Sequence, residues 1–173
     1  MKAYTDGAVS GNGTENAQGG WAFVILNDNA DGWNGDDCTT IKYADSGYVD
    51  KATNQICELI AVIEACKCIQ SHSLATPFFP HTIYSDSAYI VNCYKQNWWK
   101  NWEVNGWQNS KKEPVANKEL WEELIPFFKD NDFTFEKVKG HSNDKWNNYV
   151  DDLAVKAKKK YLVKEMDLIN GRE

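Results

Sequence analysis

Four carboxylates stand where a hard metal ion could use them: Asp6, Glu58, Asp86 and Asp151. Asp6 closes a short strand-like run and is followed by Gly7, which leaves room beside it. Asp86 closes a second such run, Thr82 to Ser85. Glu58 falls four residues after Asn54 on a helical pattern, so the two share a face. Asp151 opens the last helical pattern. A carboxylate at the end of a strand is open to solvent while its backbone is held rigidly, which suits metal binding. Magnesium prefers oxygen ligands and keeps several of its waters. Two such ions about 3.5–4 Å apart activate an attacking water and stabilise the leaving oxygen of a phosphodiester, and four carboxylates suffice to hold the pair. A single Asp at a strand end is ordinarily a turn residue or a cap, and spacing alone does not bring these four together. His141, with Gly140 before it and a polar loop after it, titrates near neutral pH and suits proton transfer.

The elements that must position these groups are legible as changes of period. Residues 1–6 read as a strand, Gly7 to Gly20 as a Gly/Asn/Ser-rich turn, Trp21 to Leu26 as a second strand and Ile41 to Val49 as a third. Between the last two lies an acidic segment, 27–38, with the character of a surface loop. The apolar repeat Ile56, Leu59, Ile60, Ile63, Cys66, Ile69 predicts a helix over Thr53 to Gln70. Pro77 and Pro80 break the chain, Thr82 to Ser85 forms a strand, and Ser87 to Lys95 a second helix. Asn117 is placed to cap a helix over Lys118 to Lys129, with Leu120, Trp121, Leu124 and Phe128 inward and Pro126 a kink. Phe133 to Val138 alternates as a strand. After a polar loop, Gly140 to Asn148, the spacing of Val150, Leu153, Ala154, Ala157 and Tyr161 marks a last helix with a lysine-rich outer face. The order predicts an α/β chain with a mixed sheet and helices packed on it.

Bulk properties narrow the class. The 173 residues suit one domain, 1–173, and 42% hydrophobic against 25% charged residues is an ordinary globular balance. No apolar run approaches the ~18 residues of a membrane span, and the N-terminus lacks the apolar stretch of a signal peptide, so the expected address is cytoplasmic. Five cysteines without a CxxC pair read as reduced thiols rather than metal ligands. A net charge of −6 argues against a protein that coats nucleic acid nonspecifically, but not against an enzyme holding it in one groove.

Tyr4-Thr5-Asp6-Gly7-Ala8, Thr53-Asn54-Gln55-Ile56-Cys57-Glu58-Leu59, Ser85-Asp86-Ser87-Ala88-Tyr89, Val138-Lys139-Gly140-His141 and Asp151-Asp152-Leu153-Ala154 occur in that order. Together they resemble the motifs of the type 1, bacterial-like ribonuclease H family, over about residues 1 to 160. The resemblance implies a ribonuclease H-like fold, a mixed five-stranded sheet of three antiparallel then parallel strands with helices on both faces. It implies an endonuclease that hydrolyses the RNA strand of an RNA–DNA hybrid, leaving 5′-phosphate and 3′-hydroxyl ends. Asp6, Glu58, Asp86 and Asp151 then hold two magnesium ions, with manganese as the alternative metal, and His141 carries a proton as product leaves. Asn12, Asn54 and Gln55 match positions that meet the minor groove, where amides hydrogen-bond base edges and the 2′-hydroxyl. Residues 95–116 resemble the family's protruding handle. There Trp98 and Trp102 would stack along the DNA sugars, and Lys95, Lys100, Lys111 and Lys112 would meet phosphates. Thr53 matches part of a phosphate grip.

The chain also departs from the family pattern. Ile56 stands in place of a common arginine, Ala88 of a glutamine and Asn148 of a glutamate, while Glu103-Val104-Asn105 replaces a basic stretch. The expectation is weaker, more salt-sensitive hybrid binding than in a basic relative. A start at the first strand suggests no N-terminal hybrid-binding domain, and the handle suggests a free-standing monomer without an obligate protein partner. The rival readings are a catalytically silent hybrid-binding module, whose mark would be a missing acid, and a DNA-cutting member of the same fold.

Overall fold

The computed structural model describes residues 1–27, 41–72, 80–138 and 144–170, with side chains of the last helix described as far as residue 159. The acidic segment from residue 28, Cys38, Pro77 and His141 lie outside the described residues. Five strands form one sheet: β1 (Lys2–Ser10), β2 (Gln18–Leu26), β3 (Ile41–Asp50), β4 (His81–Ser85) and β5 (Phe133–Lys137). Their order is β3-β2-β1-β4-β5. β1 pairs antiparallel with β2, and β2 with β3, whereas β1–β4 and β4–β5 are parallel. This is the mixed sheet that the motif order implied.

Both faces of the sheet are covered. On one, Ala3, Phe23, Ile25, Ile83, Phe133 and Phe135 join the main core with residues of α1 (Asn54–His72), α2 (Ala88–Lys95), α3 (Trp98–Asn105) and α4 (Lys118–Lys129). On the other, Ala22 and Val24 pack against Val150 and Ala154 of α5 (Lys145–Asn170). Trp121 is fully buried and forms edge contacts with Tyr89 and Trp102, so the handle helix α3 is tied to α4 and α2 through aromatic rings. Ion pairs repeat the tie at the surface: Lys67 of α1 meets Glu123 of α4, and Lys129 of α4 meets Glu103 of α3, each at 2.9 Å.

Several boundaries differ from the sequence reading, each for a local reason. β1 continues four residues past Asp6 because it pairs with β2 as far as Ser10↔Gln18. The expected long turn therefore shrinks to residues 11–17, closed by a hydrogen bond from the Thr14 N–H to the Gly11 carbonyl at 3.0 Å. α5 starts at Lys145 because the Asp144 carboxylate accepts from the N–H groups of Trp146 (3.0 Å) and Asn147 (3.2 Å) and so caps the helix. Asp151 thus lies in the second turn and does not open the helix. Asn117 stands at the N-cap of α4, as expected, but does not cap it with its side chain. Its backbone is left-handed (φ 59°), its side chain makes no cap hydrogen bond, and its amide is used elsewhere. Pro126 lies within α4 without ending it. Thr53 does cap α1, its hydroxyl accepting from the Ile56 N–H at 3.2 Å. Among the described residues no helix is long and apolar enough to cross a membrane, and Cys57, Cys66, Cys68 and Cys93 are free thiols.

Candidate active site

The register of the sheet builds a notch. Parallel pairing between β1 and β4 reaches Thr5↔Ser85 and stops. Asp6 is the next residue of β1, and Asp86 is the first residue after β4, so both acids emerge where the two strands part. Alternation turns Tyr4 and Ala8 toward α5 and Ala3 toward the α1 side; Asp6 shares the α5 face and Gly7 the α1 face.

Two glycines bring the helices close enough to deliver the other acids. A Cβ on Gly7 would lie 2.6 Å from the Glu58 backbone nitrogen and 2.7 Å from the Cys57 Cβ. Only hydrogen at that position lets α1 settle on β1, which carries Glu58 to the notch. Gly7 was expected to leave room beside Asp6; the room it leaves is for α1. On the other face, a Cβ on Gly20 would lie 2.2 Å from the Ala154 carbonyl oxygen. That contact seats α5 against β2 and brings Asp151, one turn before Ala154, to Asp6.

The four acids interact. Asp6 is the floor, only 7% exposed, with one carboxylate oxygen accepting from the Gly7 N–H at 2.7 Å. Burial first, then the Asp86 charge, then Asp151 by charge and hydrogen bond, push its pKa up to about 8. Glu58, half-buried, is also raised, by burial and then the Asp86 charge, against hydrogen bonds from Ser87 and Asn54 that favour its ionised form. Asp86, at the open rim, is raised by desolvation and by Asp151, and Lys137 counters this. Each of Asp6, Glu58 and Asp86 therefore feels another acid of the four, and Asp151 acts on two of them.

Among the described residues no three His, Cys, Asp or Glu side chains are already gathered as a metal shell. The donors nonetheless fit a hard divalent cation: carboxylate oxygens on a shared notch, one of them buried, whose pKa values are held up by burial first and by repulsion from neighbouring acids second. A cation placed among them would reverse that repulsion.

The expected substrate contacts divide. Asn12, in the β1–β2 turn, accepts from the Asn54 N–H at 3.3 Å, and the Asn54 side chain donates to Glu58 at 2.8 Å, so both lie beside the notch. Gln55 accepts from the Asn117 amide at 2.8 Å. The Thr53 hydroxyl is engaged in the cap described above. In the handle, a cavity of about 720 Å³ is lined by Tyr89, Trp98, Asn101, Asn105 and Lys111, among others. Trp98 is half-buried beside it, its indole N–H donating to Gln96 at 3.1 Å. Trp102 corrects the sequence reading: at 5% exposure it is core, its ring against Trp107 and Trp121, and not a stacking platform. Lys95, half-exposed, is paired at the surface with Glu136 of β5. Lys100, Lys111 and Lys112 are exposed, Lys100 over the Trp99 ring. Ser87 was not singled out from the sequence. It is buried and hydrogen-bonds Glu58, and the second serine of Ser85-Asp86-Ser87 was its only signal.

Comparison with known proteins bears on this arrangement. The family model described as RNase H matches residues 1–159. The chain is 44% identical over 151 residues to the ribonuclease H of Syntrophomonas wolfei, covering 87% of this chain and 90% of that protein. It is 39% identical over 163 residues to the ribonuclease H of Caldicellulosiruptor saccharolyticus, covering 94% and 95%. Among solved structures, LC11-RNase H1 in complex with RNA/DNA hybrid superimposes with a TM-score of 0.64 at 21% identity, covering 93% of this chain and 98% of that one, a likeness of fold.

Proposed function

The chain belongs to the RNase H family, and on that premise we propose that it is an endonuclease that hydrolyses the RNA strand of an RNA–DNA hybrid, using divalent metal held by Asp6, Glu58, Asp86 and Asp151. The observation that carries the reading is the convergence of these acids, from β1, α1, the end of β4 and α5, on one notch, where burial and the charges of Asp86 and Asp151 hold the carboxyls of Asp6, Glu58 and Asp86 above the ordinary range. A bound ion pair supplies an activated water and a counter-charge for the leaving oxygen. The chain's own residues do the rest. Asp6 is fixed by the Gly7 N–H at the floor of the notch. Glu58 is held from two sides by Asn54 and Ser87. Asn12 and Asn54 present amides beside the acids, and Gln55 one beside Asn117, where a 2′-hydroxyl and the minor-groove edges would lie. Lys100, Lys111 and Lys112 offer charge to the DNA backbone along the handle. His141 is the proton carrier of this reading. Magnesium is the metal favoured by an all-oxygen donor set, and the enzyme acts as a monomer.

The test is cleavage of a labelled RNA–DNA hybrid with magnesium, beside the same RNA as single strand and as duplex, and beside double-stranded DNA. Cutting confined to the RNA of the hybrid, and stopped by chelator, is the expected result. Binding without cutting would establish the silent module instead, and cutting of the DNA duplex the DNA-directed reading.

A further inference from the structure

Alternation along β5 places Phe133 and Phe135 in the main core, and the next position on that face is Lys137. A third apolar residue would extend the core; instead the strand ends on an exposed ammonium. Its backbone is fixed. Lys137 is in register with Ser85, and the following N–H, of Val138, donates to the Ser85 carbonyl at 3.0 Å. β4 and β5 therefore end level, with Asp86 leaving one and Lys137 closing the other. Neighbouring strands lie about 5 Å apart, so this end of the sheet carries Asp6, Asp86 and Lys137 in that order, from β1, β4 and β5. Burial raises the Asp86 pKa and the Lys137 charge opposes it, so the ammonium is within electrostatic reach of the rim. Lys67, Lys95, Lys118, Lys129 and Lys156 each pair with a carboxylate. Among the described residues Lys137 pairs with none, Asp86 included.

We propose that Lys137 is a substrate-binding residue whose ammonium holds a phosphate of the RNA strand next to the one at the acids. The inference rests on the proposed function, which puts the phosphate to be cut at Asp6 and Asp86. A strand held there through metal carries its neighbouring phosphates past the rim, and a cation one strand spacing beyond Asp86 is placed to meet the next of them. The acids repel a polyanion while no metal is bound. A cation fixed at the same rim offsets part of that repulsion and gives the cleaved strand an anchor of its own. The handle lysines belong to a different element and serve the DNA strand, so the two strands of the hybrid are gripped from opposite kinds of structure: a protrusion for one, a sheet end for the other. Lysine is a hydrated point charge on a flexible stem, which suits a phosphate that must be let go once its strand is cut.

The test compares Lys137→Gln and Lys137→Arg with Lys67→Gln, which removes the same charge from the contact between α1 and α4. Hybrid affinity is read by fluorescence anisotropy in chelator over a series of salt concentrations, and KM in magnesium. Lys137→Gln should raise Kd and KM about 3–10-fold and make the slope of log affinity against log salt shallower by about 0.7–0.9, the share of one phosphate. Lys137→Arg should keep the wild-type slope, Lys67→Gln should too, and the melting temperature should hold in both variants at 137 because the side chain is exposed. The strand is identified with hybrids that carry a single neutral methylphosphonate linkage. One such linkage in the RNA, beside the cut, should weaken binding to wild type but add less than about twofold in Lys137→Gln, since the contact is already gone. An unchanged Kd and slope in Lys137→Gln overturns the inference. An equal change in Lys67→Gln also overturns it, by reducing the effect to net charge. So does coupling to a DNA linkage in place of an RNA one. A shift only in the magnesium concentration needed for cutting, with Kd held, overturns it too and would make Lys137 a counter-charge for Asp86. Wild-type protein that binds the hybrid without cutting it sinks the catalytic reading and leaves the affinity test to decide; wild-type protein that does neither overturns both.

Discussion

Replacing Asp6 with asparagine should make the metal-free protein more stable while ending its activity. In the folded chain the Asp6 carboxyl has a pKa of about 8, against 3.8 for an ordinary one. The folded state therefore binds the proton more tightly than the unfolded state, and stability is greatest at acid pH and declines as pH rises from about 4 to about 8. At pH 7 the decline amounts to about 4 kcal/mol if assigned wholly to Asp6, at about 1.4 kcal/mol per pH unit between the two values. Burial accounts for the largest part of this and the charges of Asp86 and Asp151 for the rest, which those two acids share with Asp6, so about 2–4 kcal/mol is the expected relief from a neutral residue 6. Asparagine keeps the oxygen that accepts from Gly7 and nearly the same volume, so little is lost in exchange. For a chain of this length the gain corresponds to a melting temperature about 5–10 °C higher. The assay is thermal unfolding by circular dichroism in chelator, at about pH 5 and about pH 8, repeated with millimolar magnesium. Wild type should lose stability from acid to alkaline pH and recover it with magnesium. The asparagine variant should be flatter in pH, indifferent to magnesium and inactive on the hybrid. A variant no more stable than wild type at pH 8 in chelator, or one that gains as much from magnesium, would refute the reasoning that these acids repel one another and await a cation.

Three further outcomes follow from the packing. Gly20→Ala places a methyl where the Ala154 carbonyl lies; stability should fall by about 1–3 kcal/mol, and cleavage should fall with it as α5 and Asp151 move away, which denaturant melts and hybrid assays read together. Trp102→Ala should cost about 3–5 kcal/mol as a buried aromatic, whereas Trp98→Ala should cost much less stability and raise KM; equal melting temperatures for the two would undo the division of the handle into core and surface. His141→Ala should slow turnover without abolishing it and without shifting the melting temperature, and an unchanged steady-state rate would make His141 a bystander.

Most of the scaffold could be read from apolar period. α4 keeps its expected bounds because it has one apolar face and a polar remainder, whereas α1, buried around most of its circumference, was found by the length of its apolar repeat. The acids could be located because each belongs to a short run of distinctive residue types, but their meeting could not. It depends on β1 and β4 parting after Thr5 and Ser85 and on two glycines that act through helices far along the chain. Gly19 and Gly20 looked like turn because glycine is the usual turn residue; here they are strand, and close helix approach is what requires Gly20. Trp98 and Trp102 are the same residue type one turn apart, and nothing local says that only the second faces Trp121. The partners of Lys95 and Asn117, Glu136 and Gln55, were hidden for a similar reason: they are distant in sequence.

Two of the acids that interact, Asp6 and Asp151, come from the first strand and the last helix. Joining groups so far apart in sequence carries the loop-closure cost of nearly the whole chain. During synthesis, β1 leaves the ribosome among the first residues, but its carboxylate has no α5 to meet until nearly the whole domain has emerged. A nascent chain of this kind holds three of its acids and cannot complete the site. On the proposed assignment of the acids, cleavage requires α5 on the sheet, so recovery of cleavage during refolding would report the docking of that helix.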